Sequence, residues 1–174
     1  MKSHGLIIAS ALAVSGCAGA PVGVTTTAPA AATTPAPEAR SYLVSEDASA
    51  DVDAALARAG ASGRRVLLVM GANWCSDSRA LAGWLATPRF AALLEREYEL
   101  VFVNIGMPRT GDGHNLAIAR RFGLPELPGL PNVLVITAEG VLVNPDTATG
   151  WRNAESRSGD AIHAELAALA ARPT

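Results

Sequence analysis

Trp74-Cys75-Ser76-Asp77-Ser78 sets a thiol beside an indole, with a second hydroxyl-bearing residue three positions further on. The run Val66-Leu67-Leu68-Val69-Met70 precedes it, bounded by Gly63 and Gly71, and suits a strand covered on both faces. Leu81, Trp84 and Leu85 follow at helical spacing, which predicts a helix from Ser76 to about Ala86. Cys75 then sits at a helix start, where unpaired backbone N–H groups and the positive end of the dipole point at the sulfur. Such a place favours thiolate, the species that attacks disulfides. Ser78, one helical turn on, carries a hydroxyl able to donate a hydrogen bond to that thiolate, whereas Asp77 opposes a second negative charge. The sequence leaves their balance open, and Arg79 either offsets Asp77 or is solvated on the helix surface.

The elements that must hold this stretch are legible from periodicity. Ser49 followed by Val52, Ala55, Leu56 and Ala59, then Gly60, predicts a short capped helix. Pro88–Tyr98 is a further helical pattern, Leu100–Ile105 a buried strand, Asn115–Phe122 a helix and Val133–Thr137 a strand. Ala138-Glu139-Gly140 turns into a last strand, Val141–Val143, and Ser158–Ala171 closes the chain as a helix. Strands separated by helices early and a hairpin late give an α/β class with a central mixed β-sheet flanked by helices on both faces. The chain has 174 residues, 49% of them hydrophobic, enough for one domain with a full core. Its net charge of −2, with both signs mixed along the chain, supplies no field for nucleic acid, and that class of partner is excluded.

Helix-start Cys75 after a buried strand, with Gly129-Leu130-Pro131-Asn132 before a later apolar strand, resembles the thioredoxin superfamily over residues 49 to 171. The resemblance implies a thioredoxin-like fold in which Trp74-Cys75-Ser76-Asp77-Ser78 stands where the family has Trp-Cys-x-x-Cys, and Pro131 where it has a cis-proline. Two departures matter. Ser78 occupies the slot of the resolving cysteine and cannot displace a substrate from a mixed disulfide. Val69 stands where thioredoxins proper carry a buried carboxylate that manages the second thiol's proton. A cis bond before Pro131 would expose the backbone of Leu130 beside Cys75, an edge suited to pairing with an extended peptide. The competing reading of Pro125, Pro128 and Pro131 as a polyproline-type ligand is weaker, because Pro131 abuts the strand from Val133. Trp74 is either a platform for substrate or a packing residue; Ser76 and Asp77 are supporting residues of the site.

Other candidates carry less. His114 ends the glycine-rich loop from Arg109 and reads as a surface residue starting a helix, and Asp112-Gly113 lacks the further oxygen ligands of a calcium loop. Cys75, His114 and His163 have no metal-ligand spacing, so neither a metal nor a cofactor is expected. Trp84 reads as core, and Trp151 as a ring over the sheet edge.

The amino terminus has another character. Met1–His4 is weakly basic, Leu6–Val14 is apolar but too short to span a bilayer, and Val14-Ser15-Gly16-Cys17 resembles the lipobox of bacterial lipoproteins. The resemblance implies a signal peptide over residues 1–16, cleavage before Cys17 and lipidation of that residue; Ala18 after it leans towards the outer membrane. Acyl chains add about 0.8 kcal/mol per buried methylene and would anchor the protein stably. Residues 17–40, rich in Ala, Thr and Pro, read as lipidated cysteine plus flexible tether, reaching up to roughly 70 Å, and residues 41–174 as the thioredoxin-like domain.

The expected function is monothiol thiol–disulfide exchange through Cys75, with protein or small-thiol disulfide partners and an external reducing thiol, at the periplasmic face of the outer membrane. The rival is a binding module that keeps the fold and peptide groove without turnover. A sulfenate sensor or peroxidase is disfavoured for want of a resolving cysteine, although an unlipidated Cys17 would be a distant one.

Overall fold

The computed structural model describes residues 35–106 and 114–174. The signal peptide, Cys17 and most of the tether lie outside the described residues, as does most of the glycine-rich loop with Asp112 and Gly113.

Helix α1 (Ala48–Ser62) leads into strand β1 (Arg65–Gly71), then α2 (Ser76–Leu85), α3 (Pro88–Glu97), β2 (Tyr98–Asn104), α4 (Leu116–Arg121), β3 (Asn132–Ile136) and, after a short 3₁₀ turn at Ala154–Ser156, α5 (Gly159–Ala171). The strand order is β2-β1-β3, with β1 parallel to β2 and antiparallel to β3. The sheet is mixed because the α2–α3 crossover returns the chain in parallel, while β3 enters from the opposite end.

Period-two alternation along β1 divides the core in two. Leu67 and Val69 face Leu81, Phe90, Ile162 and Leu166 of α2, α3 and α5. Val66, Leu68 and Met70 face Val52 and Ala55 of α1 and Ile118 of α4. Helices therefore cover both faces of the sheet. Trp151, expected over the sheet edge, is wholly buried in the first cluster, its ring 4.7 Å below the Arg157 guanidinium.

Three boundaries differ from expectation. Helix α1 is capped by Asp47, whose carboxylate accepts from Ala50 N–H at 2.9 Å, and it runs through Gly60 to end where Gly63 turns left-handed at φ 72°. The strand expected at Val141–Val143 is reduced to a bridge between Ile136 and Leu142. The buried amide of Asn144 takes over the ladder there, accepting from Val135 N–H at 2.8 Å and donating to the Val133 carbonyl at 3.0 Å. Residues 35–40, read as the end of the tether, run along α2 as a strap: Ala39 N–H donates to the Arg79 carbonyl at 3.0 Å, and Glu38 pairs with the Arg79 guanidinium at 3.1 Å. A Cβ on Gly83 would strike the Pro37 backbone, so that close approach requires glycine. Among the described residues no helix is long and apolar enough to cross a membrane.

Candidate active site

Strand β1 delivers Gly71 to the carboxyl end of the sheet, and the turn Ala72-Asn73-Trp74 hands the chain to α2 with Cys75 as its N-cap. Cys75 N–H donates to the Ala72 carbonyl at 3.1 Å, and its own carbonyl accepts from Arg79 N–H at 3.1 Å. Its side chain makes no capping bond. The sulfur points across to the loop before β3 and contacts the Leu130 carbonyl at 3.6 Å. The Leu130–Pro131 peptide is cis. Asn132 Nδ2 donates to the Gly129 carbonyl at 2.7 Å, holding the loop from the strand side. Sequence-distant Cys75, Leu130 and Pro131 are thus brought together, with Cys75 half-buried.

Trp74 is 46% exposed, and its indole N–H donates to the Gly106 carbonyl at 2.6 Å. Trp74 lines a cavity of about 390 Å³ with Asn73, Asn104 and His114. His114 packs over Gly106, nearer this cavity than a metal-binding arrangement; among the described residues no cluster of metal-ligating side chains occurs. His163 lies edge-on to Phe90 at 5.3 Å on α5, away from the site.

Ser78 does not make the bond to Cys75 that its spacing allows, and Asp77 has a partner of its own. Ser78 is fully buried, its hydroxyl makes no hydrogen bond, and a Cβ built on Gly71 would lie 2.7 Å from it. The Cys75 sulfur turns instead to the Leu130 carbonyl and the Ser78 hydroxyl has no partner, so no Ser78–Cys75 bond forms although the two positions are one helical turn apart. Asp77 accepts from Glu155 N–H at 2.8 Å and so ties α2 to the 3₁₀ turn. Ser76 is the first residue of α2, half-buried. Arg79 is engaged by Glu38, which holds its guanidinium above the ordinary arginine value and pulls the Glu38 carboxyl below the usual carboxylate range.

Two participants escaped the sequence reading. Tyr42, buried behind α2, donates its phenol proton to the Ser78 carbonyl at 3.2 Å; burial pushes that phenol up, and charge on Cys75 pushes it the same way. Arg152 lays its stem across Gly129 in the proline loop. The one signal for Tyr42 was an aromatic directly after a segment without any.

A thioredoxin-like family model matches residues 47–138, a span that includes β1, Cys75 and the cis-proline. The chain belongs to the thioredoxin-like family. The crystal structure of a disulphide isomerase from Xylella fastidiosa Temecula1 is similar to this thioredoxin-like chain at 32% identity and a TM-score of 0.65, covering 75% of this chain and 98% of the other. No curated protein matches. The family match begins after Tyr42, so the strap lies outside the segment by which the thioredoxin-like domain is recognised.

Proposed function

We propose that this protein is a thiol–disulfide oxidoreductase-like enzyme that works with the single thiol of Cys75. The observation that carries it is the sulfur of half-buried Cys75 at the N-cap of α2, 3.6 Å from the carbonyl before the cis-proline. The likeness to a disulphide isomerase at 32% identity supports the same class. The Leu130 N–H donates to no partner among the described residues, so the loop offers an extended peptide a free donor beside the sulfur.

In the first step the Cys75 thiolate attacks one sulfur of a substrate R–S–S–R′. The Cys75–S–S–R bond forms, the substrate bond breaks, and R′–S⁻ leaves with the electron pair and takes up a proton. With Ser78 in the resolving slot, an external thiol must attack the mixed disulfide, restoring Cys75 and leaving as R–S–S–R″. No electrons are gained overall in this cycle; a second equivalent of the external thiol makes it a net reduction.

The test follows the full chain with a peptide mixed disulfide and a small reducing thiol. The expected result is catalytic release of the peptide's small partner thiol, with a transient peptide adduct on Cys75 by mass spectrometry and transfer of the peptide to the reducing thiol. Release no faster than with free cysteine at the same concentration would end the proposal. Replacement Cys75→Ser separates enzyme from binding module, because a non-covalent binder keeps its affinity for the peptide. We further propose that Cys17 is lipidated after removal of residues 1–16 and anchors the domain to the cell envelope, at the periplasmic face of the outer membrane. The mass of the mature amino terminus checks it: a free Cys17 thiol contradicts anchoring.

A further inference from the structure

Tyr42 grips the chain on both sides of the thiol. Its backbone N–H donates to Asn73 Oδ1 at 3.2 Å and its carbonyl accepts from Asn73 Nδ2 at 2.9 Å. The side-chain amide two residues before Cys75 is thereby paired as a peptide group is paired in a sheet. The Tyr42 phenol reaches the carbonyl of Ser78, three residues after Cys75. Its backbone carbonyl also accepts from Asn104 Nδ2 at 3.1 Å, at the end of β2. The ring lies edge-on to Phe102 at 5.2 Å and fills the space over Gly71, where a Cβ would meet it at 2.6 Å.

We propose that Tyr42 is a positioning residue for Cys75, forming with Asn73 a clasp that fixes the strand-to-helix turn so that the sulfur faces the Leu130 backbone. The proposal rests on the reading of Cys75 as the reacting thiol. The turn's own backbone supplies one hydrogen bond, from Cys75 N–H to the Ala72 carbonyl. Its remaining fixings come from side chains: Arg79 donates to the Asn73 carbonyl at 3.2 Å, the Trp74 indole donates to the Gly106 carbonyl, and the Asn73 amide makes both its bonds to the Tyr42 backbone. Without them the sulfur would still be exposed and reactive, but its direction relative to the proline loop would spread. Misdirection costs a peptide substrate, which must dock along Leu130, more than it costs a small reagent that can approach from any side.

The test compares rates of adduct formation on Cys75 in the full chain with two reagents, a peptide mixed disulfide and 5,5′-dithiobis(2-nitrobenzoate). Tyr42→Phe keeps the ring and deletes the phenol bond, and Asn73→Ala deletes both bonds to the Tyr42 backbone. Tyr98→Phe is the control: it deletes a bond of the same kind, from a buried phenol to the Leu166 carbonyl at 2.6 Å, at the opposite end of β2 from Asn104. The peptide-to-small-reagent rate ratio is expected to fall about 3- to 10-fold in Tyr42→Phe and Asn73→Ala, and to stay at the wild-type value in Tyr98→Phe. Iodide quenching of the half-exposed Trp74 is expected to rise in the first two only. A ratio and a quenching constant in Tyr42→Phe equal to those of Tyr98→Phe overturn the clasp. A wild-type chain that forms the peptide adduct but never turns over overturns the exchange cycle and leaves the clasp standing. If the peptide adduct does not form at all, the quenching comparison alone decides the clasp.

Discussion

Ser78 stands where a resolving thiol would be, fully buried, with a hydroxyl that bonds to nothing among the described residues. A buried hydroxyl left unpaired costs about 1–3 kcal/mol. Ser78→Ala should therefore hold or raise the urea midpoint, and should leave the rate of Cys75 adduct formation unchanged. A lowered adduct rate would mean that the hydroxyl reaches the sulfur during reaction. Ser78→Cys should restore a dithiol that closes internally, seen as loss of both free thiols on titration after one substrate turnover. Two thiols still titratable would show that the buried slot cannot reach Cys75. At this scale the sequence supplied the thiol and the missing partner. It did not supply Tyr42 or Asn73, because neither has chemistry that marks it; their importance lies in what their amide and phenol happen to face.

Strand β3 shows how an element's edge can be completed by a side chain. The expected strand after the Ala138-Glu139-Gly140 turn shrinks to one bridge because Asn144 supplies both a donor and an acceptor to β3. Asn144→Ala would leave a buried N–H and a buried carbonyl unpaired, a loss of about 2–4 kcal/mol in urea unfolding. Faster amide exchange at Val135 than in the wild type would accompany it. Full protection of that amide in the variant would refute the assignment. Helix and strand cores were legible here because runs such as Val66–Met70 repeat a pattern over several residues. A single asparagine replacing a strand has no period, and so left no trace in the pattern.

The domain is one body from the strap to α5, and the strap is held partly by charge. Glu38 is exposed and its carboxyl is drawn below the ordinary range by the hydrogen bond from Arg79. Depression in the folded state means that the pair's contribution is present above the unfolded carboxylate pKa and fades as pH falls through the lower folded value. Solvent and salt screen so exposed a pair, so the contribution is small. Between about pH 7 and about pH 3 the wild type should lose stability faster than Glu38→Gln, with the gap narrowing in high salt. Identical pH profiles for the two proteins would show that the strap is held by the Ala39 and Tyr42 bonds alone. The family match and the two-faced core agree with the α/β reading of the sequence, and the strap is where the domain extends beyond that reading.

The order of strand, thiol, helix and proline was determined by the sequence, because each is written in local pattern or residue type over a few neighbours. The tertiary structure decided what those parts face: Cys75 towards Leu130, Ser78 into the core, and Tyr42 onto both sides of the thiol. The reason is that side-chain direction at a helix cap and pairing between segments 31 to 55 residues apart are set by packing of the whole core.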